Sequence, residues 1–324
     1  MIRIAIAGYG SISRGVEYSV EQNKDMELVS IFTRRSISSI APRTNTPVLS
    51  IDEAVKWVDK VDVLILCGGS FTDLPVQGPE LAKYFNTVDS FDTHPKIPQY
   101  FADMDASLRA SGKLGIISVG WDPGLFSLNR LYMSAALPDG ESYTFWGKGI
   151  SQGHSNAIRQ IEGVLDAVQY TCPIESAVEA VRSGSMPKLS TSEKHIRECY
   201  VALKDGTDAK RVEHEILNMP YYFADNTTHV HFISTDELKS DHSGVSTKGF
   251  VFRSGHTGQG NTQHMDYSLK LESNPEFTAN VLVAYARAAH RMAIEGKKGA
   301  ITVFDVPPAL LSAKTSAELM AEVL

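Results

Sequence analysis

Two carboxylates and an arginine are of the types, and at the places, that could do chemistry in this chain. Asp92 and Asp122 each follow an apolar segment that reads as a buried strand, 87–89 and 114–119. Carboxylates at such strand ends can hold a substrate ammonium group or share a proton transfer. Each can equally cap a helix, and Asp122 before Pro123 has the order of an N-cap. Trp121 beside Asp122, and Trp146 in Thr144-Phe145-Trp146-Gly147, are large rings flanked by glycines, although a core position is open for Trp146. Arg197 falls on an expected strand, and a guanidinium reaching into a cleft suits a carboxylate. His154, in Ser151-Gln152-Gly153-His154-Ser155, has the type of a general base, but a hydrogen-bonded structural histidine is commoner. No cysteine, histidine or acid spacing asks for a metal; Cys67, Cys172 and Cys199 are an odd number, which fits a reducing cytoplasm.

A second set of residues suits phosphate. The apolar run 2–7 enters Gly8-Tyr9-Gly10-Ser11-Ile12-Ser13, after which a helical pattern begins. Strand, glycine turn and helix N-terminus in that order make a pyrophosphate cradle: Gly8 allows the tight turn, and Gly10 lets the backbone approach the phosphates. Ser13 replaces the third glycine of that fingerprint and is small enough for helix–strand packing. The next strand, 28–32, runs into Thr33-Arg34-Arg35, where an NAD site normally carries an acid for the ribose 2′-hydroxyl. A hydroxyl and two guanidinium groups suit a 2′-phosphate instead, so the cofactor expected is NADP. Charge-assisted hydrogen bonds are worth about 1.5–3 kcal/mol each, enough for a strong preference.

The elements that position these residues alternate through the first third of the chain. Strands are expected at 2–7, 28–32, 61–66, 87–89 and 114–119, with helices at 74–84 and 98–111. This is the pattern of a Rossmann-type doubly wound parallel sheet, whose ligands sit beyond the carboxyl ends of the strands. Cys67-Gly68-Gly69-Ser70, Ser90-Phe91-Asp92 and Gly120-Trp121-Asp122 all fall there. Beyond about residue 127 the pattern becomes mixed, with strand-like stretches 143–146, 201–203 and 228–233 and helical stretches 174–183 and 210–218. The expected division is a dinucleotide-binding domain over 1–120 and an α+β substrate and dimerisation domain over 121–274. A long helix over 277–295 within the segment 275–324 packs back on the first domain.

Bulk properties narrow the class. The chain has 324 residues, enough for two cores, and a formal net charge of −7 without a basic run, so nucleic acid and anionic membrane are poor partners. No apolar segment is long enough to span a bilayer, and no secretory signal precedes the first strand, so a cytoplasmic location is expected.

The ordered blocks make the chain resemble the meso-diaminopimelate dehydrogenase family over essentially its full length. The blocks include Phe32-Thr33-Arg34-Arg35, Ser90-Phe91-Asp92-Thr93-His94, Gly120-Trp121-Asp122-Pro123-Gly124, Ser151-Gln152-Gly153-His154-Ser155, Val168-Gln169-Tyr170-Thr171 and Leu271-Glu272-Ser273-Asn274-Pro275. The resemblance implies NADP-dependent oxidation of the D-configured amino carbon of meso-2,6-diaminopimelate, release of ammonia, and formation of L-2-amino-6-oxopimelate, which cyclises to tetrahydrodipicolinate. It places this reversible reaction in lysine biosynthesis and implies a homodimer. Beside Gly8 of the glycine turn, it assigns the cofactor to Tyr9, Gly10, Ser11 and Ile12, to Thr33, Arg34 and Arg35, to Cys67, Gly68, Gly69 and Ser70, and to Ser90, Phe91 and Asp92. The reactive centre falls to Asp92, Trp121, Asp122, Gln152 and Gly153, and the distal L-centre to Trp146, Thr171, Arg197 and Asn274.

One departure bears on specificity. The family often carries a histidine where this chain, in His242-Ser243-Gly244-Val245-Ser246-Thr247, has Thr247. A broader NADP-dependent D-amino acid dehydrogenase is therefore the alternative within the same class. From another class comes a non-catalytic NADPH-binding sensor, which would have no need of Asp92, Trp121 and Asp122.

Overall fold

The computed structural model describes residues 1–242 and 247–324, Gln152 by its backbone alone. The chain divides into two compact units, Met1–Leu128 with Pro275–Leu324, and Asn129–Asn274.

The first unit is built on strands β1 (Ile2–Ala7), β2 (Met26–Thr33), β3 (Val48–Ser50), β4 (Val63–Leu66), β5 (Thr87–Asp89) and β6 (Leu114–Ile116), closed by the strand Gly299–Ile301. All seven pair in parallel, in the order Gly299–Ile301, β6, β5, β4, β1, β2, β3. The chain therefore leaves β1 towards one edge and returns through β4 towards the other, so the crevice beyond β1 and β4 is the switch point where such sheets bind ligands.

Strand alternation splits the core into two layers. Ile4, Ile6, Val63 and Ile65 pack with Val16 and Val20 of the helix Ser11–Gln22 and with Ala279, Leu282 and Ala286 of the helix Asn274–Ile294. Ala5, Ala7, Leu64 and Leu66 face Leu74 and Leu81 of the helix Leu74–Ala82 and Met104 and Leu108 of the helix Ile97–Ser111. A Cβ at Gly15 would lie 2.8 Å from that of Ala279, so glycine lets the first and last long helices of this unit touch. Arg287, 3% exposed, ties the C-terminal segment down: it donates to both Asp25 oxygens at 2.7 and 2.8 Å, to Asn23 Oδ1 and to the Leu311 carbonyl.

The described residues of the second unit form two sheets. In one, β8 (Gly149–Ile150), β9 (Val164–Pro173), β10 (His195–Leu203) and β11 (Thr227–Phe232) lie in the order β11-β10-β9-β8, with β10 and β11 parallel and the rest antiparallel. In the other, β7 (Gly140–Trp146), β12 (Thr247–Thr257) and β13 (Asn261–Leu271) are antiparallel in the order β13-β12-β7. The helices Gln152–Arg159 and Ala209–Leu217 pack Ile158, Val212 and Ile216 on Ala167, Cys199 and Val201.

Several elements differ from the sequence reading. The strand expected over 114–119 ends at Ile116, because Ser118 takes a left-handed backbone (φ 58) and turns the chain. The strand expected from 61 begins at Val63, since Asp62 turns its carboxylate to Arg3. The segment 201–203 is only the apolar end of a strand that starts at His195, whose earlier residues are largely polar.

Candidate functional site

The first unit gathers the phosphate-binding candidates at the carboxyl ends of its central strands. The Gly8 N–H bonds the Phe32 carbonyl, and the Cys67 N–H bonds the Ala7 carbonyl, each at 2.8 Å. The ends of β1, β2 and β4 are thus stitched together. Gly8 has φ +92, and a Cβ there would lie 3.3 Å from the Cys67 carbonyl, so both conformation and space require glycine. A Cβ at Gly10 would meet nothing within 4 Å. The backbone at the start of the helix Ser11–Gln22 therefore faces open space, which is the fit expected for a pyrophosphate held by helix N–H groups.

Ser13 does more than stay small. It is fully buried, its hydroxyl donates to the Gly8 carbonyl at 2.9 Å, and its oxygen accepts the Gly10 N–H at 3.2 Å. The turn is locked by a side chain that the glycine fingerprint does not contain. Tyr9 contributes by backbone: its ring is buried and its hydroxyl donates to Glu17, itself buried and bonded to Thr44 Oγ1 at 2.7 Å. Burial, then the bond to Glu17, pushes the Tyr9 hydroxyl up to about 12.

Thr33, Arg34 and Arg35 stand at the end of β2. Thr33 Oγ1 accepts the Arg35 N–H at 3.1 Å and keeps its own proton to donate. Arg35 donates to the Tyr9 carbonyl, linking the two turns. Arg34 meets Asp73 Oδ1 at 2.5 Å, and Gln77, with its amide oxygen turned inward, accepts from Arg34 Nε at 2.7 Å. Asp73 also accepts the Gly69 N–H at 3.0 Å. Asp73 and Gln77 are neighbours of the arginines that sequence spacing did not single out; they lie about 40 residues further on, and only the sheet order brings them near. Cys67 is half-buried and burial pushes its thiol up to about 12, so it lines the turn as an unreactive group.

The candidate acids stand on neighbouring turns of this unit. Asp92 is exposed, and its N–H bonds Ser70 Oγ at 3.1 Å, joining the turns after β4 and β5. Trp121 and Asp122 are half-buried in the turn after β6, where the Asp122–Pro123 peptide is cis and the Trp121 ring meets Phe126 edge-on at 5.2 Å.

In the second unit Thr171 of β9 and Arg197 of β10 are register partners, and Gly149 of β8 pairs with Thr171 on its other side. Thr247, buried, crowds the same place: a Cβ at Gly149 would lie 2.9 Å from Thr247 Oγ1. Arg197 is 7% exposed and donates from Nη1 to Thr171 Oγ1, which also receives Gln169 Nε2 at 3.4 Å. The Thr171 proton is left to donate elsewhere. Arg197 Nε, Gln169 Oε1 and His195 Nδ1 are buried without partners. Among the described residues no carboxylate lies within ion-pair reach of Arg197. Burial pulls its guanidinium below the usual value. A buried cation beside unfilled polar atoms asks for an anion.

Trp146 is placed through His195, whose Nε2 accepts the Trp146 N–H at 2.9 Å while the rings lie 5.3 Å apart. Burial, then the charges of Arg197 and Lys194, drives His195 down to about 3, so it is neutral and able to accept. Asn274 opens the helix Asn274–Ile294, just past the end of β13, where Leu271 pairs with Thr247. Gly153 is exposed at the start of the helix Gln152–Arg159, and a Cβ there would meet nothing within 4 Å. The Gln152 side chain, and 243–246 before Thr247, lie outside the described residues. His154 is engaged within the second unit: Nδ1 bonds Ser151 Oγ at 2.5 Å, and burial with the charge of Arg197 lowers it to about 3. Among the described residues no group of histidine, cysteine and acid side chains is placed to hold a metal ion.

A parallel doubly wound sheet with a glycine cradle and an arginine-rich second turn defines a dinucleotide-binding protein. The comparisons sharpen that class. Residues 120–273 match the diaminopimelic acid dehydrogenase C-terminal domain. A meso-diaminopimelate D-dehydrogenase of Ureibacillus thermosphaericus is 59% identical over 323 residues, covering 100% of this chain and 99% of the relative. The chain belongs to the meso-diaminopimelate D-dehydrogenase family. Among solved structures, the Corynebacterium glutamicum DAP dehydrogenase in complex with DAP is 43% identical, with a TM-score of 0.95 over 100% of this chain and 99% of that one. An engineered D-amino acid dehydrogenase bound to NADP+ is 42% identical, with a TM-score of 0.92 over the same shares.

Proposed function

We propose that this chain catalyses the reversible, NADP-dependent oxidative deamination of the D-centre of meso-2,6-diaminopimelate. The products are ammonia and L-2-amino-6-oxopimelate, which cyclises to tetrahydrodipicolinate in lysine biosynthesis. The observation that carries the reading is the buried Arg197, without an acid partner and beside Thr171, in a chain that belongs to this family.

The turns 8–12, 33–35, 67–70 and 90–92 hold the dinucleotide, with Arg34 and Arg35 on its 2′-phosphate. NADP+ supplies the hydride acceptor. Asp92 and Asp122 attract and orient the ammonium of the reactive carbon, and Trp121, Gln152 and Gly153 border it. Once the carbon has lost its hydride and the nitrogen a proton, water adds to the resulting imine and ammonia leaves. No side-chain nucleophile is required, so no covalent enzyme–substrate adduct forms. Arg197, Thr171, Trp146 and Asn274 grip the unreactive L-end. A polar distal site rejects substrates lacking that end, because its buried groups would stay unpaired. Thr247 favours a broader second reading, since a hydroxyl is a weaker carboxylate partner than a histidine. A homodimer in the cytoplasm completes the proposal, supported by family membership and the odd, unpaired cysteines.

The test is the nicotinamide absorbance at alkaline pH after mixing protein, NADP+ and meso-diaminopimelate. The expected result is NADPH and ammonia in equal amounts, with far slower reaction on the L,L-isomer and on simple D-amino acids. Equal rates on D-alanine would replace the first reading with the second. Absence of NADPH formation with every amino acid would remove both.

A further inference from the structure

One carboxylate stands behind both turns that carry the candidate acids. Asp89, the last residue of β5, is fully buried. Its Oδ1 accepts the Phe91 N–H at 3.0 Å and the Ser118 N–H at 3.1 Å. Its Oδ2 accepts the Tyr100 hydroxyl at 2.9 Å. Its main-chain carbonyl accepts the Val119 N–H at 2.8 Å. Asp92 therefore follows one residue after a backbone group fastened to Asp89, and Trp121 and Asp122 follow closely after two more.

The conformations held this way are not those the chain adopts unaided. Ser118 sits at φ 58, where a side chain is disfavoured, and it is buried, so its N–H needs an acceptor if the turn is to persist. Such outliers survive where their surroundings over-determine them. Phe91 is buried and stacks on Tyr100 with ring centroids 4.1 Å apart, so the ring and the hydroxyl of Tyr100 brace the same turn. Burial raises the Asp89 carboxyl to about 6 against the pull of its three donors, so it is a group kept in the core at a cost.

The geometry points to Asp89 as a positioning residue of the reaction: it fixes the Asp92 turn and the Asp122 turn from a single buried carboxylate, without touching the substrate. This rests on the reading of Asp92 and Asp122 as the groups at the reactive amino carbon. A small loss of register between those turns would misplace the ammonium and cost turnover while leaving the dinucleotide cradle at β1, β2 and β4 as it is.

The experiment compares kcat and KM for meso-diaminopimelate, NADPH affinity by fluorescence, and Tm in the full chain. In Asp89→Asn the amide oxygen still accepts both N–H groups, and its nitrogen donates to the Tyr100 oxygen, so kcat stays within about threefold. In Asp89→Ala both turns lose their acceptor, and kcat falls by at least about thirtyfold, while NADPH affinity, which the 90–92 turn shares with the turns 8–12, 33–35 and 67–70, falls by less than about fivefold. A folded Asp89→Ala protein with a lower Tm and normal kcat overturns the inference, and so does an Asp89→Asn protein as impaired as the alanine variant. Should Asp89→Ala fail to fold, Tyr100→Phe decides: it keeps the ring stack and removes one donor. A drop in kcat of about three- to tenfold at constant KM for NADP supports the inference, and an unchanged kcat overturns it. Asp92→Asn and Asp122→Asn run alongside. If they retain turnover, the reading of the site fails first; if they lose it while folded Asp89→Ala does not, only the positioning role fails.

Discussion

Buried charge is handled in opposite ways behind the β5 and β6 turns and between β9 and β10. Asp89 has a donor on each carboxylate oxygen and two on one of them. Arg197 has Thr171 on Nη1 and nothing on Nε. The contrast holds even within the second unit, where the equally buried Arg253 is filled by the Leu137 and Pro138 carbonyls at 2.6 and 3.0 Å and by Ser142 Oγ at 2.7 Å. A filled buried charge belongs to the scaffold. The unfilled Arg197 fits the proposed receptor role, because the protein bears its desolvation cost until a ligand completes it.

The comparison can be broken most sharply at the acids on the turns that Asp89 holds. Asp122→Asn keeps the shape of the side chain but removes its charge. The expected outcome is a fall in kcat of about a hundredfold, with Tm and NADPH affinity unchanged, read by steady-state kinetics and fluorescence titration. Near-normal turnover would make Asp122 part of the scaffold.

The next effect is on cofactor choice. Replacing Arg34 and Arg35 with alanine should lower the ratio of kcat/KM for NADP over NAD by about ten- to a hundredfold. Arg34 is held by Asp73 and Gln77 and Arg35 by the Tyr9 carbonyl, so these guanidinium groups are poised before the cofactor arrives. An unchanged ratio would reduce them to links between turns.

A smaller effect appears in stability. His154 and His195 are lowered to about 3 by burial and by the Arg197 charge. Folded, they stay neutral; unfolded, they bind protons near pH 6.5. Their contribution is thus complete above about pH 6.5 and is lost as the pH falls from there towards about 3, at up to about 1.4 kcal/mol per pH unit for each. His195→Gln should flatten the fall of Tm between pH 6.5 and 4.5, measured by thermal unfolding. A slope equal to that of the parent would show that His195 takes up its proton while folded.

Thr247→Ala should be mild, a loss of about two- to tenfold in kcat/KM for meso-diaminopimelate, because a neutral hydroxyl bond is worth about 0.5–1.5 kcal/mol.

The parallel sheet was legible because its central strands are short, continuous apolar runs, each opening into a small-residue turn. The hydroxyl lock at Ser13 was not, because sequence spacing reports the size of the third fingerprint residue and not its partners. The β3 and Gly299–Ile301 edge strands have three residues each, too few for a period. The β12–β13 hairpin hides behind the polar run Asn261-Thr262-Gln263-His264, whose side chains are exposed. Arg197 and Thr171 were legible as types, but their direct pairing needs the β9–β10 register. Asp89 read only as the end of a strand, since nothing local announces that Ser118, nearly 30 residues later, would donate to it.

The most direct test of the contrast is Arg197→Met, measured with meso-diaminopimelate and with D-alanine, together with Tm. The account predicts a loss of about a hundredfold in kcat/KM for meso-diaminopimelate, little loss or a gain with D-alanine, and a Tm equal to or above that of the parent, because an unfilled buried charge has been removed. Equal losses on both substrates with a lowered Tm would show that Arg197 is scaffold, and would contradict the assignment of the distal end.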